Sequence, residues 1–204
     1  SLDASTMDLE GAVSSEAIAA ADLDAGRWDG AELTLFVTDW TAPDAEPVTV
    51  ARGSLGAVER RGAAFTVELQ GVTRALDQPA CPATSPSCRA MLGDPACRVD
   101  LAGRTHVRRV VAAEERTVTL DTPLAPGVMM FGELGWLEGA VCGLASPVIG
   151  ADGDTLTLAE MPPVLPPLPL RVRLVEGCDK QLATCRARFA NAVNFRGEAH
   201  LPGN

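Results

Sequence analysis

Leu170-Arg171-Val172-Arg173-Leu174-Val175 alternates apolar and charged side chains, and Glu176-Gly177-Cys178 follows at once. A period of two puts Leu170, Val172 and Leu174 on one face, which is the signature of a strand with one side buried. The stretch before it, Met161 to Pro169, carries five prolines and reads as extended loop. Further back, Val107–Val111 and Thr117–Leu120 read as strands, and Asp121-Thr122-Pro123 as a turn. Strands also fit residues 128–138, 141–149 and 155–159. Residues 105–176 therefore read as a small β-barrel or sandwich, inserted between two cysteine-bearing flanks, 78–104 and 177–204.

The first 77 residues read as a separate β-rich domain, incomplete at its N-terminus because the sequence opens on Ser1-Leu2-Asp3 without Met. Ala64-Phe65-Thr66-Val67-Glu68-Leu69-Gln70 alternates, with Phe65, Val67 and Leu69 on one face. Arg60-Arg61-Gly62 before it is a hairpin candidate. Glu32–Trp40 and Val48–Gly53 are strand-like. Ser14–Asp22 reads as a short helix with Ser14 or Ser15 as cap, and 71–78 as a helical turn. The expectation is a β-meander with one helix packed on it. The fold class is thus mainly β, with a short C-terminal helix somewhere in Asp179–Phe189.

Composition agrees with this and narrows function. Of 204 residues, 47% are apolar but only 4% aromatic, so the core must be built from Ala, Val and Leu. The 19 glycines and 15 prolines favour turns over a helical bundle. A net charge of −10 argues against gripping nucleic acid through its phosphates. It suits a surface that DNA slides past without sticking. No apolar run is long enough to span a bilayer as a helix. The two histidines, His106 and His200, belong to no readable catalytic constellation, and the acidic residues show no acid–base pairing. Asp152-Gly153-Asp154 is a turn. Trp40, Trp136 and the Met129-Met130-Phe131 run read as core.

The cysteines carry the chemistry. Cys88 and Cys97 lie in an irregular, Pro-rich loop that needs something other than a core to order it. Cys178 and Cys185 lie at the start of the C-terminal helix. Spacing alone leaves disulfides and a metal site side by side, because zinc ligands usually stand two to four residues apart and neither pair does. The local setting favours a metal. In a regular helix Cys178 and Cys185 would sit about 10 Å apart along the axis. Cys178 must therefore lie at or before the first turn, where free amides favour a thiolate. Arg89, Arg98, Lys180 and Arg186 flank the four cysteines and could offset their charge. Cys81 stands near enough to Cys88 in sequence to rival it. Cys142 reads as a buried small hydrophobe in an apolar strand.

Two longer motifs go further. Leu92-Gly93-Asp94-Pro95-Ala96-Cys97-Arg98-Val99-Asp100-Leu101 resembles the "LGD..C.VDL" signature of baseplate hub proteins of gene transfer agents and long-tailed phages. Gly177-Cys178-Asp179-Lys180, Thr184-Cys185-Arg186-Ala187-Arg188-Phe189 and Asn191-Ala192-Val193-Asn194-Phe195-Arg196-Gly197 resemble that family's ending. Asp8-Leu9-Glu10, Ser14–Ile18 and Gly26–Ala31 fit its N-terminal portion. The resemblance covers most of the chain and is faintest across 105–170. The cysteine arrangement also resembles the iron–sulfur C-terminal region of the lambda minor tail protein L group.

The resemblance implies Cys88, Cys97, Cys178 and Cys185 as ligands of an iron–sulfur cluster, of the [4Fe-4S] type. It implies a homotrimeric, non-enzymatic hub around the DNA channel, between a distal tail protein ring and a tail-tip or fibre protein of the megatron kind. The subunit would be assembled in the host cytoplasm and reside in the baseplate of a virion or gene transfer agent particle. The cluster would act as a staple that closes a loop of more than 80 residues. Two other readings are a redox trigger of tip opening and an extracellular module stapled by disulfides.

Overall fold

The computed structural model describes residues 6–13, 18–71 and 81–201, and the chain divides into two compact units, 1–82 and 83–204. Each is mainly β. No helix among the described residues is long and apolar enough to cross a membrane.

The N-terminal unit is a four-stranded antiparallel sheet. Its strands are β1 (Thr6–Ala12), β2 (Glu32–Val37), β3 (Val48–Arg61) and β4 (Ala64–Gly71), in the order β1-β4-β3-β2. β2, β3 and β4 form the expected meander, and the unforeseen β1 closes the sheet beside β4, with Leu9 opposite Val67. The β3–β4 hairpin turns through Gly62-Ala63, where Gly62 takes φ +65°, a value glycine adopts without strain. Leu55, Val67 and Leu69 are buried, with Leu9, Trp28, Leu33 and Phe65 packed against them. The helix α1 is a single turn, Ala20–Asp24, that buries Leu23. Its N-cap is Ala19, with no side-chain cap, and the expected capping serines and the helical turn at 71–78 fall outside the described residues or at their edge.

The second unit contains a closed antiparallel barrel. Its strands are β5 (Thr105–Glu114), β6 (Thr117–Leu120), β7 (Glu133–Trp136), β8 (Ala145–Asp152), β9 (Thr155–Leu158) and β10 (Leu170–Val175). Around the barrel the order is β10-β5-β6-β9-β8-β7. Closure removes both sheet edges. Leu170, Val172 and Leu174 point inward and are buried, while Arg171 and Arg173 stay in solvent. Val110, Val118, Leu134, Trp136, Val148, Leu156 and Leu158 complete a Leu/Val core. β8 and β9 are joined through the Gly153-Asp154 turn.

Four expectations need correction. Residues 128–132 are a turn, not strand, so Met129 is buried while Phe131, at φ +63°, is exposed. Trp40 is 87% exposed, because it lies beyond the end of β2 and outside the core that Trp136 joins. Cys142 is exposed, since it caps a short 3₁₀ turn (Gly139–Val141) instead of lying in a strand. The C-terminal helix α2 begins only at Leu182 and ends at Phe189.

The inward face of β10 carries the barrel's stability. Leu174→Ala should lower the free energy of unfolding by about 3 kcal/mol in urea denaturation, whereas Arg173→Ala should stay within about 0.5 kcal/mol.

Candidate metal centre

β5 and β10 pair antiparallel with Thr105 opposite Val175, so the barrel delivers its two flanks side by side. On one flank lies the irregular loop 81–101, on the other the segment 176–201 with α2. Cys88, Cys97, Cys178 and Cys185 all line one narrow cavity between these flanks, with Ala90, Leu92, Val99, Phe189 and Phe195 as its apolar wall. The four are thiols, not cystines, and Cys97 and Cys185 are buried. Cys81 is exposed and is not among the lining residues.

Each motif residue has a mechanical reason. Asp94 accepts the amides of Ala96 (2.9 Å) and Cys97 (2.6 Å) on one oxygen and that of Met91 (2.8 Å) on the other. These bonds, led by the one from Cys97, hold its carboxyl below its ordinary range. Gly93 turns the chain at φ +82°, and a side chain there would strike Leu101. Asp94 and Gly93 thus form the clip that sets Cys97. On the other flank, Asp179 accepts the Gln181 amide (2.9 Å) and the Thr184 hydroxyl (2.7 Å), which starts α2 and fixes Cys185 one turn in. Ala190 ends the helix in the left-handed region, letting the Asn191 amide reach the Cys185 carbonyl at 3.0 Å. The Asn191 side chain then donates to the Cys97 carbonyl at 2.6 Å, joining the flanks.

Three of the four sulfurs accept N–H groups. The donors are the Lys180 amide to Cys178 (3.4 Å), the Arg196 amide to Cys88 (3.3 Å) and the Asn191 side chain to Cys97 (3.7 Å). None belongs to the first turn of α2, where the sequence placed them, because Cys178 stands ahead of the helix. Burial pushes the Cys185 thiol pKa up, and the Cys178, Cys88 and Cys97 sulfurs around it push further. The flanking cations are committed elsewhere. Lys180 donates to the Ala90 carbonyl (2.6 Å), Arg98 to the Pro95 carbonyl (3.3 Å), and Arg89 grips Glu198 at 2.7 and 2.9 Å. Arg186 is exposed.

A second cluster, invisible in the sequence, locks this region to the barrel. Glu176 is 8% exposed and receives Arg188 (2.6 Å) and Arg104 (2.9 Å) on one oxygen and His106 (3.1 Å) on the other. Burial alone would raise its pKa, but the three donors outweigh that and hold it low. Arg188 also donates to the carbonyls of Gly177 and Val128, and both Arg104 and Arg188 stack on Phe189. Gly177 has no room for a side chain against the Met130 carbonyl. Glu176 and Arg188 therefore clamp the segment that holds both Cys178 and Cys185.

The comparisons with known proteins agree with this architecture. The family model "Baseplate hub protein, N-terminal attachment domain" matches residues 1–100, and that of "Phage conserved hypothetical protein BR0599" matches 127–204. A chain of the solved structure described as "Virion of native gene transfer agent (GTA) particle" is 38% identical, with a TM-score of 0.83, over 98% of this chain and 71% of that one. The chain belongs to the baseplate hub family. No curated protein matches it. Membership gives the hub chain a structural role in a phage-type tail baseplate.

Two tests follow for the hub chain. Arg188→Ala removes one of the three partners of the buried Glu176 carboxylate and should destabilise the second unit by about 2 kcal/mol in urea denaturation, with Arg188→Lys recovering only part. Glu198 is held at about 2, chiefly by its hydrogen bond from Arg89, against an ordinary 4.5. Its contribution to holding the tail is therefore complete above pH 4.5 and lost as the pH falls toward 2. Its carboxylate also accepts the Ser85 amide at 2.8 Å. Glu198→Gln should speed hydrogen exchange at that amide already at neutral pH.

Proposed function

We propose that this hub subunit holds an iron–sulfur cluster, of the [4Fe-4S] type, on Cys88, Cys97, Cys178 and Cys185. The single observation that carries it is the convergence of these four thiols on one apolar-walled cavity. The donor set is all sulfur, which suits iron–sulfur chemistry, and N–H donors to thiolates are the usual means of stabilising such a site. Among the described residues no three Cys, His, Asp or Glu side chains stand close enough to hold one ion. A tetrahedral zinc site, with bonds of about 2.3 Å, requires that closeness.

The cluster's part is structural. Bound, it supplies four strong metal–thiolate bonds between the flanks. The chain's own residues do the rest: Asp94 presents Cys97, Asp179 presents Cys185, and Glu176 with Arg188 anchors the segment to the barrel. A fixed, ordered flank suits a subunit of a homotrimeric ring around the DNA channel, between a distal tail protein ring and a tail-tip or fibre protein. The net charge of −10 suits a wall that passing DNA does not adhere to. The location follows from family membership: the tail baseplate of a virion or gene transfer agent particle.

Protein purified without oxygen should contain four irons and four acid-labile sulfides per chain. Cys97→Ser and Cys185→Ser should each lose both and become protease-sensitive within 81–101, with the barrel still folded. Stoichiometric zinc, or cystines in place of thiols, would sink the proposal.

A further inference from the structure

Among the described residues that line the cavity of Cys88, Cys97, Cys178 and Cys185, only Lys180 brings an ordinarily charged side chain besides the cysteines. Its backbone lies in the left-handed region at φ +64°, which a residue with a Cβ rarely adopts. In that conformation its amide donates to the Cys178 sulfur at 3.4 Å, and its carbonyl accepts the Cys88 amide at 2.9 Å. One residue thus touches a cysteine on each flank. Its ammonium donates to the carbonyl of Ala90 at 2.6 Å, and Ala90 is buried and lines the same cavity. A carbonyl is neutral, so this bond fixes the position of the charge without cancelling it. The other basic neighbours do not share this role. Arg89 is paired with Glu198, Arg98 and Arg186 are exposed, and none of the three lines the cavity. The Asp94 carboxylate also senses the ammonium, after the stronger bonds from the Cys97, Met91 and Ala96 amides.

A fixed cation in that wall has a purpose if the cavity holds a cluster. The core of a [4Fe-4S] cluster carries two positive charges at rest and its four thiolates carry four negative ones, so the bound group is a dianion. An apolar-walled cavity stabilises a dianion poorly unless an opposite charge stands beside it. Net charge and hydrogen bonds to the sulfurs are also what set the reduction potential of such a cluster. We infer that Lys180 is the counter-ion of the cluster: its pinned ammonium offsets the dianion and sets how readily the cluster accepts an electron. This rests on the reading of Cys88, Cys97, Cys178 and Cys185 as cluster ligands and adds to it what controls the charge state.

Glycine adopts φ +64° without strain, so Lys180→Gly deletes the ammonium and keeps both backbone bonds. Lys180→Met keeps the side-chain length without the charge, and Lys180→Arg keeps the charge. Each chain, purified without oxygen, is titrated with dithionite in the presence of mediators, and the reduced fraction is read by electron paramagnetic resonance. At the wild-type midpoint the reduced-to-oxidised ratio should fall about tenfold in Lys180→Gly and Lys180→Met, which is about 59 mV for a one-electron couple. In Lys180→Arg it should stay within about twofold. If neither uncharged variant retains iron and sulfide while Lys180→Arg retains both, the charge is needed to hold the cluster and the proposal stands. An unshifted ratio in the uncharged variants would overturn it, as would an equal fall or a lost cluster in Lys180→Arg, or a wild-type cluster that takes up no electron. Those results leave the cluster itself in place. Wild-type protein free of iron and sulfide would instead overturn the cluster reading, and this proposal with it.

Discussion

The pairing of β5 with β10 is the constraint on which the cysteine region depends. Thr105 opposite Val175 means that the chain enters and leaves the barrel at one place. Two flanks with almost no core of their own are thereby held as neighbours, although 80 residues separate Cys97 from Cys178. This changes how a cluster would act. A link across a free loop of that length would constrain the unfolded chain by about 4–5 kcal/mol on entropic grounds. Here the barrel already brings the ends together, so a link between the flanks orders 83–101 and 177–201 more than it closes the long loop. The barrel furnishes the frame on which the site is built.

Glu176 is the joint between frame and site. A lone buried carboxylate is unfavourable, and its pairing with Arg104, His106 and Arg188 is what makes the position tolerable. Such a triad contributes little net stability compared with apolar packing. Its value is geometric: Arg188 from α2 and Arg104 and His106 at the start of β5 meet one carboxylate, which holds α2 to the barrel rim. Asn191 does the same on the other side by holding the Cys97 carbonyl. Orientation of the four cysteines is thus set by polar groups, while Leu92, Val99, Phe189 and Phe195 give their cavity an apolar wall.

Each unit builds a small core of its own and still leaves apolar side chains in solvent. The first exposes Phe36, Val37, Trp40, Val48 and Val50 where β2 and β3 outrun its core, and the second exposes Met91, Phe131, Val164 and Val193 around a filled barrel. The second unit also devotes polar groups to orienting four cysteines.

Much of this was legible in the residues. Alternation in Leu170–Val175 and Ala64–Gln70 determined two strands and their buried faces, since period two admits one reading. The four cysteines and the family-like motifs around them pointed to the segments that line the cavity, although their spacing alone left disulfides and a metal side by side. What the sequence could not decide was anything set by partners distant in the chain. Glu176 looks like any charged residue after a strand, and only the fold brings Arg104, His106 and Arg188 to it. Trp40 looks like core, and only the end of the sheet leaves it bare. Cys142 looks buried, and only the turn that interrupts the expected strand exposes it. Local patterns determine which element a segment can form, whereas burial depends on which elements meet, and that is decided when the barrel closes.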